Sequence, residues 1–186
     1  MKNLDVFGDD LYGIVHLTSD FDVSGFMSPK GKGLERYLKY QAIVEEKANL
    51  SRTYLVLDKE SNEIAAYFTL RTGLITLKAG SGDGFNAHSA IELSNFAVND
   101  AYRDINDLKP GFGMYVFNQF ILPLAKMISQ YVGAAYIYIY SLPYKKLMVN
   151  YEKMGFFRAT TEMEAFIYSH VKPIYDKGCI FMWQKL

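Results

Sequence analysis

Residues 90–142 contain the pattern that most restricts how this 186-residue chain can fold. The β-rich run AIELSNFAV (90–98) precedes a long apolar segment that ends at Gly133, and a second β-rich run, AAYIYIYSL (134–142), follows it. Apolar residues recur at helical spacing on one face of the segment; they are Met114, Phe117, Ile121, Leu124, Ile128 and Tyr131. Strand, helix and strand in this order predict a parallel pair joined by a right-handed crossover. Pro123 should remove one hydrogen bond and bend the helix.

The other segments predict further strands and helices around this unit. In chain order they are a strand at 12–21, an amphipathic helix from Lys32 to Leu50, a hairpin at 53–77 with its turn at Lys59–Glu63, a glycine loop at 78–85, a helix from Pro143 to Met154 and a closing strand at 179–186. Residues 99–109 form an irregular polar stretch in this interpretation. The expected fold is mixed α/β, in a single domain that covers residues 1–186.

The composition excludes several classes of protein. Lys and Arg together number 20, as do Asp and Glu, so no global field attracts the chain to nucleic acid or an anionic membrane. A local basic patch on the surface is compatible with this balance of charges. Cys179 is the only cysteine, so no intramolecular disulfide can form. The opening MKNLDVFGDD lacks the apolar run of a signal peptide, and no stretch reaches the roughly 18 apolar residues of a membrane span. A cytoplasmic location without a membrane partner is expected.

Gly111 and Gly113 open the apolar helix one residue apart. A helix N-terminus that follows a strand presents free N–H groups and commonly binds phosphate. The alternative is that both glycines only shape a loop. Two known phosphate motifs do not fit, because Val116 stands where a dinucleotide fingerprint needs a third glycine and Met114 stands where a P-loop needs lysine. The three histidines, His16, His88 and His170, stand alone, so no metal site is expected.

Several motifs in a fixed order resemble the GNAT superfamily of acyl-CoA-dependent N-acyltransferases. They are the strand IELSNFAV, Gly-x-Gly at a helix start, the strand YIYIYSL and the segment NYEKMGFF. GLERYLKYQA and SRTYLVLDKESNEIAAYFTL are similar to the first helix and central hairpin of that family, so the resemblance covers most of the chain. It implies a GNAT-like, mostly antiparallel central sheet with a parallel β-α-β unit, splayed central strands and helices on both faces. It also implies acetyl-CoA as co-substrate, with no metal.

The resemblance assigns the residues that would bind acetyl-CoA. Backbone N–H groups around the glycines would hold the pyrophosphate, the end of the central strand would pair with the pantetheine arm, and two lysines would face phosphates; the residues are Gly111, Phe112, Gly113, Met114, Phe96, Ala97, Val98, Lys109 and Lys146. Two positions depart from the family pattern. Leu108 stands where an Arg or Gln is usual, and Pro110 has no N–H to donate. Lys109 is a substitute charge.

Transfer of an acetyl group from a thioester to an amine needs a neutral amine and a proton donor for the departing thiolate. Tyr151 matches the tyrosine that precedes the Gly-Phe signature of the family, its usual general acid; otherwise it is a core or surface tyrosine. Glu92 stands six residues before Val98, where some members carry a base that acts through water. Alternatively, Glu92 is a strand-edge residue paired with Lys or Arg. Ser94 and Asn95 are further candidates to hold a water molecule.

The expected function is therefore N-acetylation of a primary amine, in a small molecule or a peptide. One alternative is a toxin-type acetyltransferase acting on charged tRNA, which the YFTL hairpin and the YEKMGF ending resemble. The zero net charge argues against a nucleic-acid partner, although four residues could form a local basic patch, namely Lys145, Lys146, Lys153 and Arg158. A second alternative is a non-catalytic acyl-CoA-binding module. A homodimer is left open, and the sequence does not identify the acceptor.

Overall fold

The computed structural model describes residues 8–78, 84–170 and 178–186. By its internal contacts the chain divides into two compact units. The first comprises the residues up to Arg71 together with Leu93–Leu124, and the second comprises Thr72–Glu92 together with Ala125–Leu186. The single domain over residues 1–186 stays a prediction. Most of the predicted glycine loop at 78–85 lies outside the described residues.

The described residues contain seven strands of a mixed sheet. They are β1 (Tyr12–His16), β2 (Arg52–Asp58), β3 (Ile64–Lys78), β4 (Phe85–Val98), β5 (Tyr136–Ser141), β6 (Phe157–Arg158) and β7 (Ile180–Lys185). Their order in the sheet is β1-β2-β3-β4-β5-β7-β6. β4 and β5 pair in parallel, whereas β1 with β2, β2 with β3, β5 with β7 and β6 with β7 pair antiparallel. The predicted mixed α/β fold with a parallel strand–helix–strand unit is thus confirmed.

The described part of the chain forms seven α-helical segments. They are α1 (Lys32–Tyr40), α2 (Ala42–Lys47), α3 (Asp100–Ile105), α4 (Phe112–Val116), α5 (Leu122–Val132), α6 (Lys145–Lys153) and α7 (Thr161–His170). A 3-10 turn at Pro29–Gly31 precedes α1. None of the described helices is long and apolar enough to cross a membrane.

The first unit has its core where α1 and α2 pack on β2 and β3. Leu38 and the start of α2 are buried in one cluster with Leu55 and Tyr67. The prediction of one helix from Lys32 to Leu50 was wrong in part, because the chain turns at Gln41 and begins a second helix at the fully buried Ala42. Asn49, at a φ of 61°, then ends that helix in the left-handed region.

The long apolar segment of the sequence forms one continuous helical stretch from α4 to α5. A π-helical turn, Phe117–Ile121, joins the two helices. Pro123 explains this turn, because it has no N–H for the regular bond to the carbonyl of Gln119 and its ring would collide with that carbonyl. A wider turn removes the collision. The expected bend at Pro123 therefore takes the form of a π-turn.

The second unit is built on β5, which pairs with β4 through three residues and with β7 through six. Its buried cluster includes Tyr138, Phe181 and, from α7, Met163 and Ile167. The helix α7 and the two-residue strand β6 were not predicted. For α7 a signal existed, since Met163, Phe166 and Ile167 stand at helical spacing.

Candidate functional site

Gly111 and Gly113 serve different purposes at the start of α4. Gly111 has a φ of 106°, in the left-handed region, so its conformation requires glycine. Gly113 has no such constraint. A Cβ built on Gly113 would meet its nearest atoms, Phe96 Cζ and Val98 Cγ2, at 3.8 Å, which is ordinary contact. The packing of the protein itself therefore does not demand glycine at 113, and its absent side chain leaves the backbone open to a ligand.

The first turn of α4 presents N–H groups suited to an anion. The N–H of Tyr115 donates to the carbonyl of Gly111 at 3.0 Å, which closes the first helical turn. The N–H groups of the three residues before it, Phe112, Gly113 and Met114, point out of the helix end without intrahelical acceptors. Lys109 and Gly111 are exposed beside them. This arrangement can bind a phosphate group.

The contacts around Gly113 bring predicted cofactor residues together. Phe96 and Val98, at the end of β4, are the side chains nearest to Gly113. Ala97 between them is buried. The parallel pairing with β5 covers only Ala90–Glu92, and β4 then continues for six residues to Val98. The two segments that the resemblance assigns to acetyl-CoA, at the end of β4 and the start of α4, are thus neighbours in the first unit.

Asn99 fixes the end of β4, and sequence reasoning missed it. Its side chain is 7% exposed and caps α3 by accepting a hydrogen bond from the N–H of Ala101 at 3.2 Å. The same oxygen accepts a hydrogen bond from the N–H of Met27 at 3.0 Å. Its Nδ2 donates to the carbonyl of Ile64 at 2.7 Å. The signal that could have revealed it is an Asn directly before a short helix, the usual N-cap pattern.

Tyr151 lies in the last turns of α6, half-buried, with its ring edge-on to Phe156 at a centroid distance of 5.7 Å. Gly155, at a φ of 93°, turns the chain so that the N–H of Phe156 donates to the carbonyl of Tyr151 at 3.0 Å. Within the described residues, the Tyr151 hydroxyl makes no hydrogen bond. Burial raises the pKa of Tyr151 to about 12, so the hydroxyl is protonated at neutral pH. It can donate to a ligand.

Glu92 is a buried carboxylate, 6% exposed. The hydroxyl of Tyr138 donates to its Oε2 at 3.1 Å. The alternative prediction for Glu92 was a pair with Lys or Arg; the structure adds a tyrosine as its partner. Of the two residues proposed to hold a water molecule, Ser94 donates to the carbonyl of Thr69 at 3.3 Å, and Asn95 is half-buried.

The remaining candidates lie at the surface or in other contacts. Lys145 and Lys146 are exposed in the first turn of α6, which contains no acidic residue. His16, predicted to stand alone, has Glu46 as partner at 2.9 Å. In the residues searched, which are those described, no group of three or more His, Cys, Asp or Glu side chains could hold a metal ion.

No protein-family model matches the sequence. No curated protein gives a significant sequence match. Solved structures do share the fold: a tyrosine-to-phenylalanine variant of KacT aligns at a TM-score of 0.67 and 14% identity, over 95% of both chains. AtaT in complex with acetyl-methionyl-tRNAfMet aligns at 0.67 and 15% identity, over 91% of this chain and 93% of that one.

A third structure is a tyrosine-to-phenylalanine variant of the toxin AtaT bound to the C-terminus of the antitoxin AtaR and to acetyl-CoA. It aligns at a TM-score of 0.64 and 15% identity, over 92% of each chain. The likeness to these structures, at such low identity, establishes the fold. The fold expected from the resemblance to the GNAT superfamily is thereby confirmed.

Proposed function

We propose that this protein is a GNAT-type N-acetyltransferase that moves the acetyl group of acetyl-CoA to a primary amine. The observation that carries the proposal is the helix start at Gly111–Met114, with Gly113 open beside Phe96 and Val98. AtaT, which shares the fold, was solved with acetyl-CoA bound. A cytoplasmic location and a homodimer stay predictions.

In this proposal the pyrophosphate is bound by the free N–H groups of the first turn of α4. The exposed side chain of Lys109 adds a positive charge next to them, in place of the Arg or Gln that Leu108 replaces. Phe96, Ala97 and Val98 offer backbone to the pantetheine arm. Lys146, exposed at the start of α6, is the residue that the resemblance assigns to the 3′-phosphate.

The chemical step joins the amine nitrogen to the acetyl carbon and breaks the bond from that carbon to sulfur. Glu92 takes the proton that the amine loses, through a water molecule, and Tyr151 donates to the departing sulfur. A free thiol has a pKa of about 8.5. Because the pKa of Tyr151 is higher, at about 12, its hydroxyl stabilises the thiolate chiefly as a hydrogen-bond donor. Glu92 releases the amine proton to solvent, and the thiolate sulfur takes up a proton from solvent, so that CoA leaves as the free thiol.

A charged tRNA is the second candidate acceptor. AtaT was solved with acetyl-methionyl-tRNAfMet, a product of amine acetylation on an aminoacyl group. The second unit also exposes lysines on α6 and, nearby in sequence, two aromatic side chains, Tyr144 and Phe157. Lysines bind phosphates and exposed aromatic rings can stack on bases. If the acceptor is a charged tRNA, an antitoxin is an expected partner, as for AtaT.

Release of CoA from acetyl-CoA, followed with a thiol-reactive dye, tests the proposal. The acceptor panel contains small primary amines, peptide N-termini and aminoacylated tRNA. We expect rapid CoA release with at least one member and a mass increase of one acetyl group in that acceptor. Acetyl-CoA binding without turnover on the whole panel would identify a non-catalytic acyl-CoA-binding module instead. Growth arrest on expression would favour the toxin-type acceptor.

A further inference from the structure

Glu92 and Tyr138 are direct neighbours across the parallel pair of β4 and β5. They are register partners, so both side chains leave the sheet on the same face. The Tyr138 hydroxyl lies 3.1 Å from Glu92 Oε2. Tyr138 is 5% exposed and Glu92 is 6% exposed, so solvent competes little for this hydrogen bond.

Gly73 gives Tyr138 the room to make this bond. Gly73 lies on β3, on the other side of β4 from Tyr138. A Cβ on Gly73 would stand 2.0 Å from the Tyr138 hydroxyl oxygen and 2.7 Å from Cζ, distances that no side chain tolerates. The phenol ring therefore crosses β4 and lies directly on the backbone of Gly73. Glycine inside a strand weakens the strand, so its presence here needs a reason of this kind.

Aromatic contacts hold the Tyr138 ring in one orientation. The ring of Phe181 lies at a centroid distance of 5.3 Å and that of Tyr140 at 5.9 Å, edge-on. Ile75 and Ala90 belong to the same buried cluster. A ring enclosed in this way has a fixed hydroxyl position.

We propose that Tyr138 is a positioning residue for Glu92, and that Gly73 is present to admit its ring. The proposal rests on the proposed role of Glu92 as base. A glutamate side chain has three rotatable bonds, and a base is effective only when its oxygen is held at the proton it removes. The hydroxyl of Tyr138 fixes Oε2 and thereby the plane of the carboxylate. In this view Tyr138 touches no substrate and acts only through Glu92.

Steady-state kinetics of five variants test this role, with the panel amine that releases CoA fastest. They are Tyr138→Phe, Gly73→Ala, Glu92→Gln, the double variant Tyr138→Phe/Glu92→Gln, and Tyr136→Phe as control. Tyr136 is a tyrosine of the same strand and the same face, with ring contacts to His88 and Trp183. We expect Tyr138→Phe to lower kcat by about 10- to 100-fold and to leave the KM for acetyl-CoA unchanged. Tyr136→Phe should retain the wild-type kcat.

The double variant separates positioning from an independent role. If Tyr138 acts only through Glu92, removing its hydroxyl should cost nothing further once Glu92 is Gln. Gly73→Ala should lower kcat as Tyr138→Phe does, by displacing the ring, with folding checked by thermal unfolding. Two results would overturn the positioning role of Tyr138 while keeping Glu92 as the base. One is additive losses of kcat in the double variant, and the other is a wild-type kcat in Tyr138→Phe together with a lowered kcat in Glu92→Gln. A wild-type kcat in Glu92→Gln, or no turnover of any amine, would overturn the base itself.

Discussion

Two glycines separated by one residue illustrate how differently a single residue type can be used. Gly111 meets a backbone demand, because an L-residue at a φ of 106° is strained. The packing of the chain does not require glycine at 113, since a Cβ there would lie 3.8 Å from its nearest neighbouring atoms, in Phe96 and Val98. The sequence predicted both as a phosphate-binding pair. The structure assigns the turn to the first, and phosphate binding at the second stays a prediction.

Gly113→Val should therefore weaken acetyl-CoA binding without unfolding the chain. The branched side chain would cover the N–H groups of the first turn of α4, and we expect at least a 10-fold higher Kd in calorimetry. Gly111→Ala is the matched variant for stability, since strain in the left-handed region costs about 1–2 kcal/mol. It should lower Tm, whereas Gly113→Val should hardly change it. Wild-type affinity in Gly113→Val would remove the pyrophosphate assignment.

Tyr151→Phe removes the hydroxyl and keeps the ring against Phe156. We expect kcat to fall by about 10²–10⁴-fold with acetyl-CoA affinity unchanged. Because burial raises the pKa of Tyr151 to about 12, its ionisation should cause no loss of wild-type rate up to about pH 10. Folding favours the protonated hydroxyl of Tyr151, so the contribution of this group to the free energy of unfolding is lost only as the pH rises from about 10. A wild-type kcat in Tyr151→Phe would show that Tyr151 contributes only packing and does not act on the departing sulfur.

At the scale of elements, Asn99 connects three segments at the end of β4 through its amide group. Asn99→Ala removes an N-cap and leaves buried backbone groups without partners, at a combined cost of about 2–4 kcal/mol. Thermal unfolding should show a Tm lower by roughly 5–15 °C. Asn99→Ser keeps a side-chain oxygen that can cap α3 at Ala101 and loses the bonds to Met27 and Ile64, so its Tm should fall less. Equal losses in both variants would show that the cap is not the source of the stability.

Elements with long, regular patterns were predictable from the sequence, and those that depend on distant contacts were not. The hairpin of β2 and β3, the parallel pair of β4 and β5, and the helix that starts at α4 follow from local periodicity. α3 has six residues and one buried side chain, Tyr102, whose hydroxyl donates to Asp58. Nothing in residues 99–109 alone announces that contact. Likewise, the resemblance to the GNAT superfamily made Glu92 a candidate, but its partner Tyr138 lies on another strand.

The whole molecule carries no net charge, with 20 basic and 20 acidic residues. From this balance the sequence argued against a nucleic-acid partner. The structure refines that argument, because Lys145, Lys146 and Lys153 are exposed on the single helix α6. A local patch can bind phosphates even when the summed charge is zero, since interactions beyond about 10 Å are screened at physiological salt. Net charge therefore leaves a small amine and a charged tRNA as competing acceptors.

Charge reversal at the two ends of α6 should decide between these acceptors. Lys145→Glu/Lys153→Glu is the test, and Lys30→Glu/Lys47→Glu, at exposed positions of the first unit, is a control with the same net charge. If the acceptor is a charged tRNA, the test variant should show a KM for tRNA that is about 10-fold higher or more. The slope of the logarithm of tRNA affinity against the logarithm of salt concentration should also become shallower, by roughly one for each lost phosphate contact. The control should match the wild type. If the acceptor is a small amine, both variants should turn over at the wild-type KM.

Lys146 is left unchanged because its proposed phosphate contact would alter the KM for acetyl-CoA in either case. An equal effect of both variants on tRNA would show that overall charge, and not a surface on α6, governs binding.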